Sequence, residues 1–106
     1  MSQIQYIRDD NFDDLVLNSD ALNLVYFSAD YCRHCKRYHT LLDSLSNNGN
    51  LDFRIGNIDI DESLDLSNQF DIRLLPTTIF FYEGNVVERR VGILSVDEIN
   101  EVINNV

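Results

Sequence analysis

A chain of 106 residues, 44% of them hydrophobic, has enough apolar side chains to close one core and too few for two. Its 18 acidic and 8 basic residues leave a net charge of −10, which argues against nucleic acid or an anionic membrane as the principal partner. No apolar run reaches the roughly 18 residues of a membrane-spanning helix, and Met1 to Asp10 is polar and acidic without an apolar signal core, so neither a membrane anchor nor export is expected.

The chain opens with Ile4 to Ile7, a weakly alternating segment that fits an edge strand. Asp9 to Asn18 follows, with acidic residues at its start and Phe12, Leu15 and Val16 at helical spacing. Leu22 to Ala29 is apolar almost throughout, as in a central strand covered on both faces, and it feeds directly into Cys32-Arg33-His34-Cys35. From Arg33 to about Leu45 a second helix carries Tyr38, Leu41, Leu42 and Leu45 on one stripe, and Ser46-Asn47-Asn48-Gly49-Asn50 ends it. Leu51 to Ile60 reads as a parallel strand and Leu64 to Phe70 as a short helix. Thr77 to Tyr82 is the strongest β run, turned by Glu83-Gly84-Asn85 into Val86 to Val91 as a hairpin. Val96 to Val106 closes the chain as an amphipathic helix with Ile99, Val102 and Ile103 inward. The order βαβαβαββα predicts an α/β fold, one domain over residues 1–106, with a central mixed sheet of about five strands flanked by four helices.

Both cysteines of the chain lie two residues apart at the start of a helix. Unpaired backbone N–H groups and the helix dipole favour negative charge there, so the Cys32 thiolate, the reactive species, is stabilised. Cys35 lies one turn on, within reach to form a disulfide with Cys32 or to attack a mixed disulfide held on it. Arg33, Lys36 and Arg37, three of the eight cations, surround the pair together with His34 and His39. That cluster has two readings, a solvated basic helix face and a device that holds the thiolate. A redox spacing without a framework of structural disulfides suits a reducing compartment, and a cytoplasmic location is expected. Zinc is a weaker reading, because Cys32, Cys35 and His39 share a face with no fourth ligand, so no metal is expected.

With the four signals Cys32-Arg33-His34-Cys35 after a strand, Asn57-Ile58-Asp59 at a strand end, Leu75-Pro76-Thr77 before the long β run, and Gly84 followed by Val91-Gly92, the chain resembles the thioredoxin family over nearly its full length. The resemblance implies the thioredoxin fold and a thiol-disulfide oxidoreductase in which Cys32 is the nucleophile and Cys35 resolves. The redox carrier is then the cysteine pair itself, with no other cofactor. It further implies protein disulfides as substrates, thioredoxin reductase or a similar electron donor as partner, and a monomer. From spacing alone, Pro76 would begin an edge strand in trans; the resemblance implies a cis Leu75-Pro76 bond beside the cysteines, leaving the Leu75 backbone free to pair with an extended substrate. Tyr31, Arg33, Leu75, Pro76, Gly92 and Ile93 are the expected substrate-binding residues.

The chain departs from the family pattern in four places. Tyr31 stands where thioredoxins usually have Trp, and Arg33-His34 where they have Gly-Pro. His34 matches the second intervening position of protein disulfide isomerases and periplasmic disulfide oxidases, so thiolate tuning by His34 is expected, with a redox potential between roughly −270 and −180 mV. An isomerase or oxidase role and a non-catalytic interaction module are therefore the alternatives. The buried Asp and Lys pair of thioredoxins is replaced, on this reading, by Tyr26 and Ile55, losing both charges together. His39, one turn after Cys35, is the candidate substitute base, against the plainer reading of a solvent-facing histidine. Thr40 stands in place of the helix proline, which predicts a straighter helix.

Overall fold

Residues 3–47 and 51–106 are described by the structure, a computed structural model. Strands β1 (Gln5–Ile7), β2 (Leu22–Ser28), β3 (Phe53–Asp59), β4 (Thr77–Tyr82) and β5 (Asn85–Val91) form one sheet in the order β1-β3-β2-β4-β5. β1, β3 and β2 run parallel, whereas β4 and β5 are antiparallel to their neighbours. Helices α1 (Arg33–Asn47), α2 (Leu64–Gln69) and α3 (Val96–Asn104) complete the mixed α/β fold expected from the order of elements. Asn48-Gly49-Asn50, predicted to finish the turn after α1, lies outside the described residues.

The helix expected over Asp9 to Asn18 shrinks to a wide π-type turn over Asp13–Leu17, closed by the Asn18 N–H on the Asp13 carbonyl at 2.9 Å. The Asn11 side chain accepts from the Arg8 N–H at 2.7 Å and donates to the Tyr6 carbonyl at 3.3 Å, tying the start of this segment to the end of β1. Phe12 and Val16 still reach the core.

Strand alternation divides β2 between two layers of core. Leu22, Leu24 and Tyr26 point to the face covered by α1 and α3, where Tyr38, Leu42, Ile99 and Val102 meet Ile55 and Phe80. Val25 and Phe27 point to the other face, against Phe12, Val16, Leu66, Ile79 and Phe81. β2 is therefore buried on both sides, as its unbroken apolar run predicts. The β4–β5 turn places Glu83 at φ +50° and Gly84 at φ +81°, a two-residue turn whose twist matches the strands it joins. A β-carbon on Gly84 would stand 2.5 Å from the Leu17 carbonyl oxygen, so the π-type turn leaves no room for a side chain there. α3 starts on a capping box in which the Ser95 hydroxyl accepts from the Glu98 N–H and the Glu98 carboxylate accepts from the Ser95 N–H, both at 3.1 Å.

Tyr38 shows how a polar group is tolerated inside the first layer. The side chain is fully buried, and its hydroxyl shares a 2.8 Å hydrogen bond with Thr78 Oγ1 of β4. Burial pushes the Tyr38 phenol up to about 12, with the Thr78 bond acting in the opposite sense. Because the folded value lies above the ordinary tyrosine value of about 10, this contribution to stability is complete below pH 10 and is lost as pH rises toward 12. A gap of that size corresponds to about 3 kcal/mol. Urea unfolding is therefore expected to lose stability steeply above pH 10, with the phenolate absorbance of Tyr38 appearing together with loss of the fold. A stability flat to pH 12 would contradict this account.

Candidate active site

The sheet brings three separated segments to one end. β2 leads through Ala29 into the Asp30-Tyr31 turn, and the Cys32 N–H closes that turn on the Ala29 carbonyl at 3.1 Å. β4 begins with Thr77 paired to Phe27, so Pro76 lies alongside the end of β2 that delivers the cysteines. Thr77 also pairs with Val91, and the Gly92 N–H donates to the Pro76 carbonyl at 2.8 Å, tying the loop after β5 to the loop before β4. Gly92 adopts φ +95° with open space around it, so backbone conformation and not crowding selects glycine. The Leu75-Pro76 bond is cis.

Cys32 directly precedes α1. Its carbonyl accepts the Lys36 N–H at 3.3 Å, and its sulfur accepts the Cys35 N–H at 3.1 Å, the bond that an N-cap side chain makes. Once Cys32 is a thiolate, such a charge-assisted bond is worth about 1.5–3 kcal/mol, against about 0.3–1 kcal/mol for the helix dipole, so the one directed N–H dominates. Cys32 and Cys35 are joined as a disulfide with α-carbons 5.2 Å apart. The two sulfurs differ in access, since Cys32 is half-buried and Cys35 is only 3% exposed.

Tyr31, Arg33 and His34 are exposed around the pair, Leu75 and Gly92 are half-buried, Pro76 is buried, and Ile93 is exposed next to Gly92. The structure thus gathers these sequence-predicted residues at one end of the sheet. Leu74, 64% exposed, extends the apolar rim and was not anticipated from the sequence.

Behind Cys35 lies a cleft of about 260 Å³ lined by Cys35, Tyr26, Ser28, His39 and Asn57, among others. His39 faces this cleft and its Nδ1 is hydrogen-bonded to the Tyr26 hydroxyl, so it is not simply a solvent-facing residue. The Tyr26 phenol is held well above its ordinary value by burial first, then by the charges that Tyr6 and Tyr38 take on only when they ionise and by the Asp43 carboxylate, and it stays protonated. Ile55 pairs with Leu24 and packs in the same core layer as Tyr26, while the residue directly opposite Tyr26 is Asn57. The Asn57 amide donates to the Tyr26 carbonyl at 3.3 Å and to Ser28 Oγ at 2.8 Å, spanning the β2–β3 seam at the floor of the cleft. The cleft beside Cys35 therefore holds the Tyr26 phenol, the His39 imidazole and the Asn57 amide. In α1, Thr40 donates its hydroxyl to the Lys36 carbonyl at 3.1 Å within an uninterrupted helix. Among the described residues no group of three or more His, Cys, Asp or Glu side chains is placed to hold a metal ion, and no helix is long and apolar enough to cross a membrane.

A thiol primed by a helix N-terminus, with a second sulfur beneath it able to close a disulfide, exchanges dithiol for disulfide, and the chain is a thiol-disulfide oxidoreductase. The thioredoxin family model matches residues 3–105. The chain is 31% identical over 104 residues to a thioredoxin of Buchnera aphidicola, covering 98% of this chain and 96% of that protein. It is 32% identical over 104 residues to a thioredoxin of Haemophilus influenzae, covering 98% and 97%, and 32% identical over 97 residues to one of Staphylococcus saprophyticus, covering 92% and 91%. The chain belongs to the thioredoxin family.

Proposed function

We propose that the chain reduces disulfides in protein substrates in the cytoplasm, working as a monomer and drawing its electrons from a thioredoxin reductase or a similar donor. The observation that carries this reading is the asymmetry of the two sulfurs: the more accessible one accepts a helix N–H and the other is buried behind it. The Cys32 thiolate attacks one sulfur of a substrate disulfide, the other substrate sulfur leaves as thiolate, and a mixed disulfide forms. Cys35, losing its proton, then attacks the Cys32 sulfur and expels the second substrate thiolate. Two electrons have passed to the substrate, and the donor restores the dithiol. Tyr31, Arg33, Leu75, Pro76, Gly92 and Ile93 form the surface on which the substrate lies, with the Leu75 backbone offered to an extended segment. No cofactor beyond the cysteine pair is required.

His34 supports a more oxidising variant of the same chemistry. It is exposed in the first turn of α1, where positive charge on the imidazole would favour the Cys32 thiolate. Equilibrating the protein in glutathione buffers, trapping thiols by alkylation and weighing the products gives the potential directly. A value between roughly −270 and −180 mV is expected, with His34→Ala moving it toward the lower end. A potential below −270 mV, on the scale where thioredoxin lies at about that value, would remove the tuning role of His34. Failure to form the disulfide at all would favour an interaction module over an enzyme. Rapid reduction of insulin in the presence of thioredoxin reductase separates a reductase from an isomerase.

A further inference from the structure

Expelling the substrate requires Cys35 to lose a proton at a position that is 3% exposed, where burial opposes the thiolate. The cleft beside it holds the Tyr26 hydroxyl bonded to His39 Nδ1, reached from opposite walls, the strand β2 and the helix α1. This bond can be made in two proton arrangements. With neutral His39 the phenol donates to Nδ1, and with the imidazolium the Nδ1–H donates to the phenol oxygen. We propose that Tyr26 and His39 form a proton relay for Cys35, in which the tyrosine positions the histidine and passes the proton to it without becoming a phenolate.

The S–H bond of Cys35 breaks and its proton moves across the cleft to the Tyr26 oxygen, while the Tyr26 O–H proton moves to His39 Nδ1. The products are a Cys35 thiolate and a His39 imidazolium, with Tyr26 neutral before and after. The thiolate then attacks the Cys32 sulfur. The imidazolium returns its proton to the departing substrate thiolate or to solvent at the cleft mouth.

Two further observations favour this route. Ionised Tyr26 is opposed by burial and by neighbouring negative charge, so a proton arriving at its oxygen must be matched by one leaving toward His39. Asp43 stands one turn beyond His39 on α1, and its Oδ1 is buried with no hydrogen-bond partner among the described residues, so a carboxylate faces the region where the imidazolium forms. Other charged and titratable groups also face the pair. Tyr6 and Arg8 come from β1 and its end, Asp59 and Glu62 from β3 and the turn after it, and Asp30, Lys36 and Tyr38 from α1 and its approach. Arg8 is occupied with Glu62 at 3.3 Å and Tyr38 with Thr78, which leaves Tyr26 as the hydroxyl bonded to His39.

This inference rests on the oxidoreductase reading, and one experiment separates the two. Reduced protein is mixed rapidly with one equivalent of dithiobis-nitrobenzoate, which releases one coloured thiolate when Cys32 attacks and a second when Cys35 displaces the mixed disulfide. In Tyr26→Phe and in His39→Gln the second release near pH 7 is expected to slow on the order of 100-fold, the lower end of what a positioned base contributes. The first release should keep its rate, which also reports a folded site, and the double variant should be no slower than either single one. The deficit should narrow as pH is raised above the ordinary thiol value of about 8.5, because rising hydroxide removes the Cys35 proton without the relay even though burial opposes it. A second release within about twofold of the native rate in both variants overturns the relay, as does a loss that is equal at every pH. If Tyr26→Phe does not fold, His39→Gln decides by the same criteria. A native protein that gives only the first release overturns the resolving role of Cys35 itself, and the relay falls with it by a different signature.

Discussion

Cys35→Ser is expected to convert turnover into a stoichiometric trap. Cys32 keeps the N–H bond and the helix N-terminus that favour its thiolate, so the first attack on a substrate disulfide proceeds and the mixed disulfide accumulates. No second sulfur then stands behind it to release the product. Insulin reduction should fall to less than about one turnover per protein, and gels run without reductant should show covalent adducts that a dithiol dissolves. Cys32→Ser should yield neither activity nor adducts, because the remaining sulfur is almost completely covered. Adducts in equal amount from both variants would mean that either sulfur can attack, and would remove the asymmetry on which the functional reading stands.

The largest loss of stability is expected on the opposite face of the sheet, at Phe12. Its ring is 2% exposed and meets Phe70 and Phe81 edge-on, each with centroids 5.6 Å apart, while Phe70 also approaches Phe27 and Phe81. Phe12→Ala removes two of these four contacts and leaves a void that strand β4 and the π-type turn have little freedom to fill. A cost of about 3–5 kcal/mol follows, a large part of the about 5–15 kcal/mol that holds a domain of this size. Urea unfolding at neutral pH measures it. A loss below about 1 kcal/mol would mean that the layer collapses around the missing ring, and that the aromatic cluster is not the support the contacts indicate.

What the sequence disclosed follows from how local each cause is. β2 and β4 were legible because each is buried on both faces and nearly every residue had to be apolar. α1 was legible from its stripe, and Tyr38 and Leu42 are indeed buried along it. The π-type turn after β1 was not, because the wider Asn18 N–H to Asp13 carbonyl bond still buries Phe12 and Val16, the same residues an ordinary helix would turn inward. The place of Asn57 at the cleft floor was not legible, because only the register of β3 against β2 sets it opposite Tyr26. The Tyr26–His39 bond joins a strand to a helix packed over it, a distance relation that no periodicity records.

The order of strands has a consequence for how the protein is made. β2, which leads into the cysteines, takes as its two neighbours β3 and β4, and both lie later in the chain. A ribosome therefore delivers Cys32 and Cys35 as thiols behind a strand without partners, and Pro76 and Gly92 emerge afterwards. Loop closure across those intervening segments precedes any benefit from the pairing. The nascent chain thus holds its reactive groups before it holds the means to control them, and the reducing power of the surroundings, not the fold, decides their state during that interval.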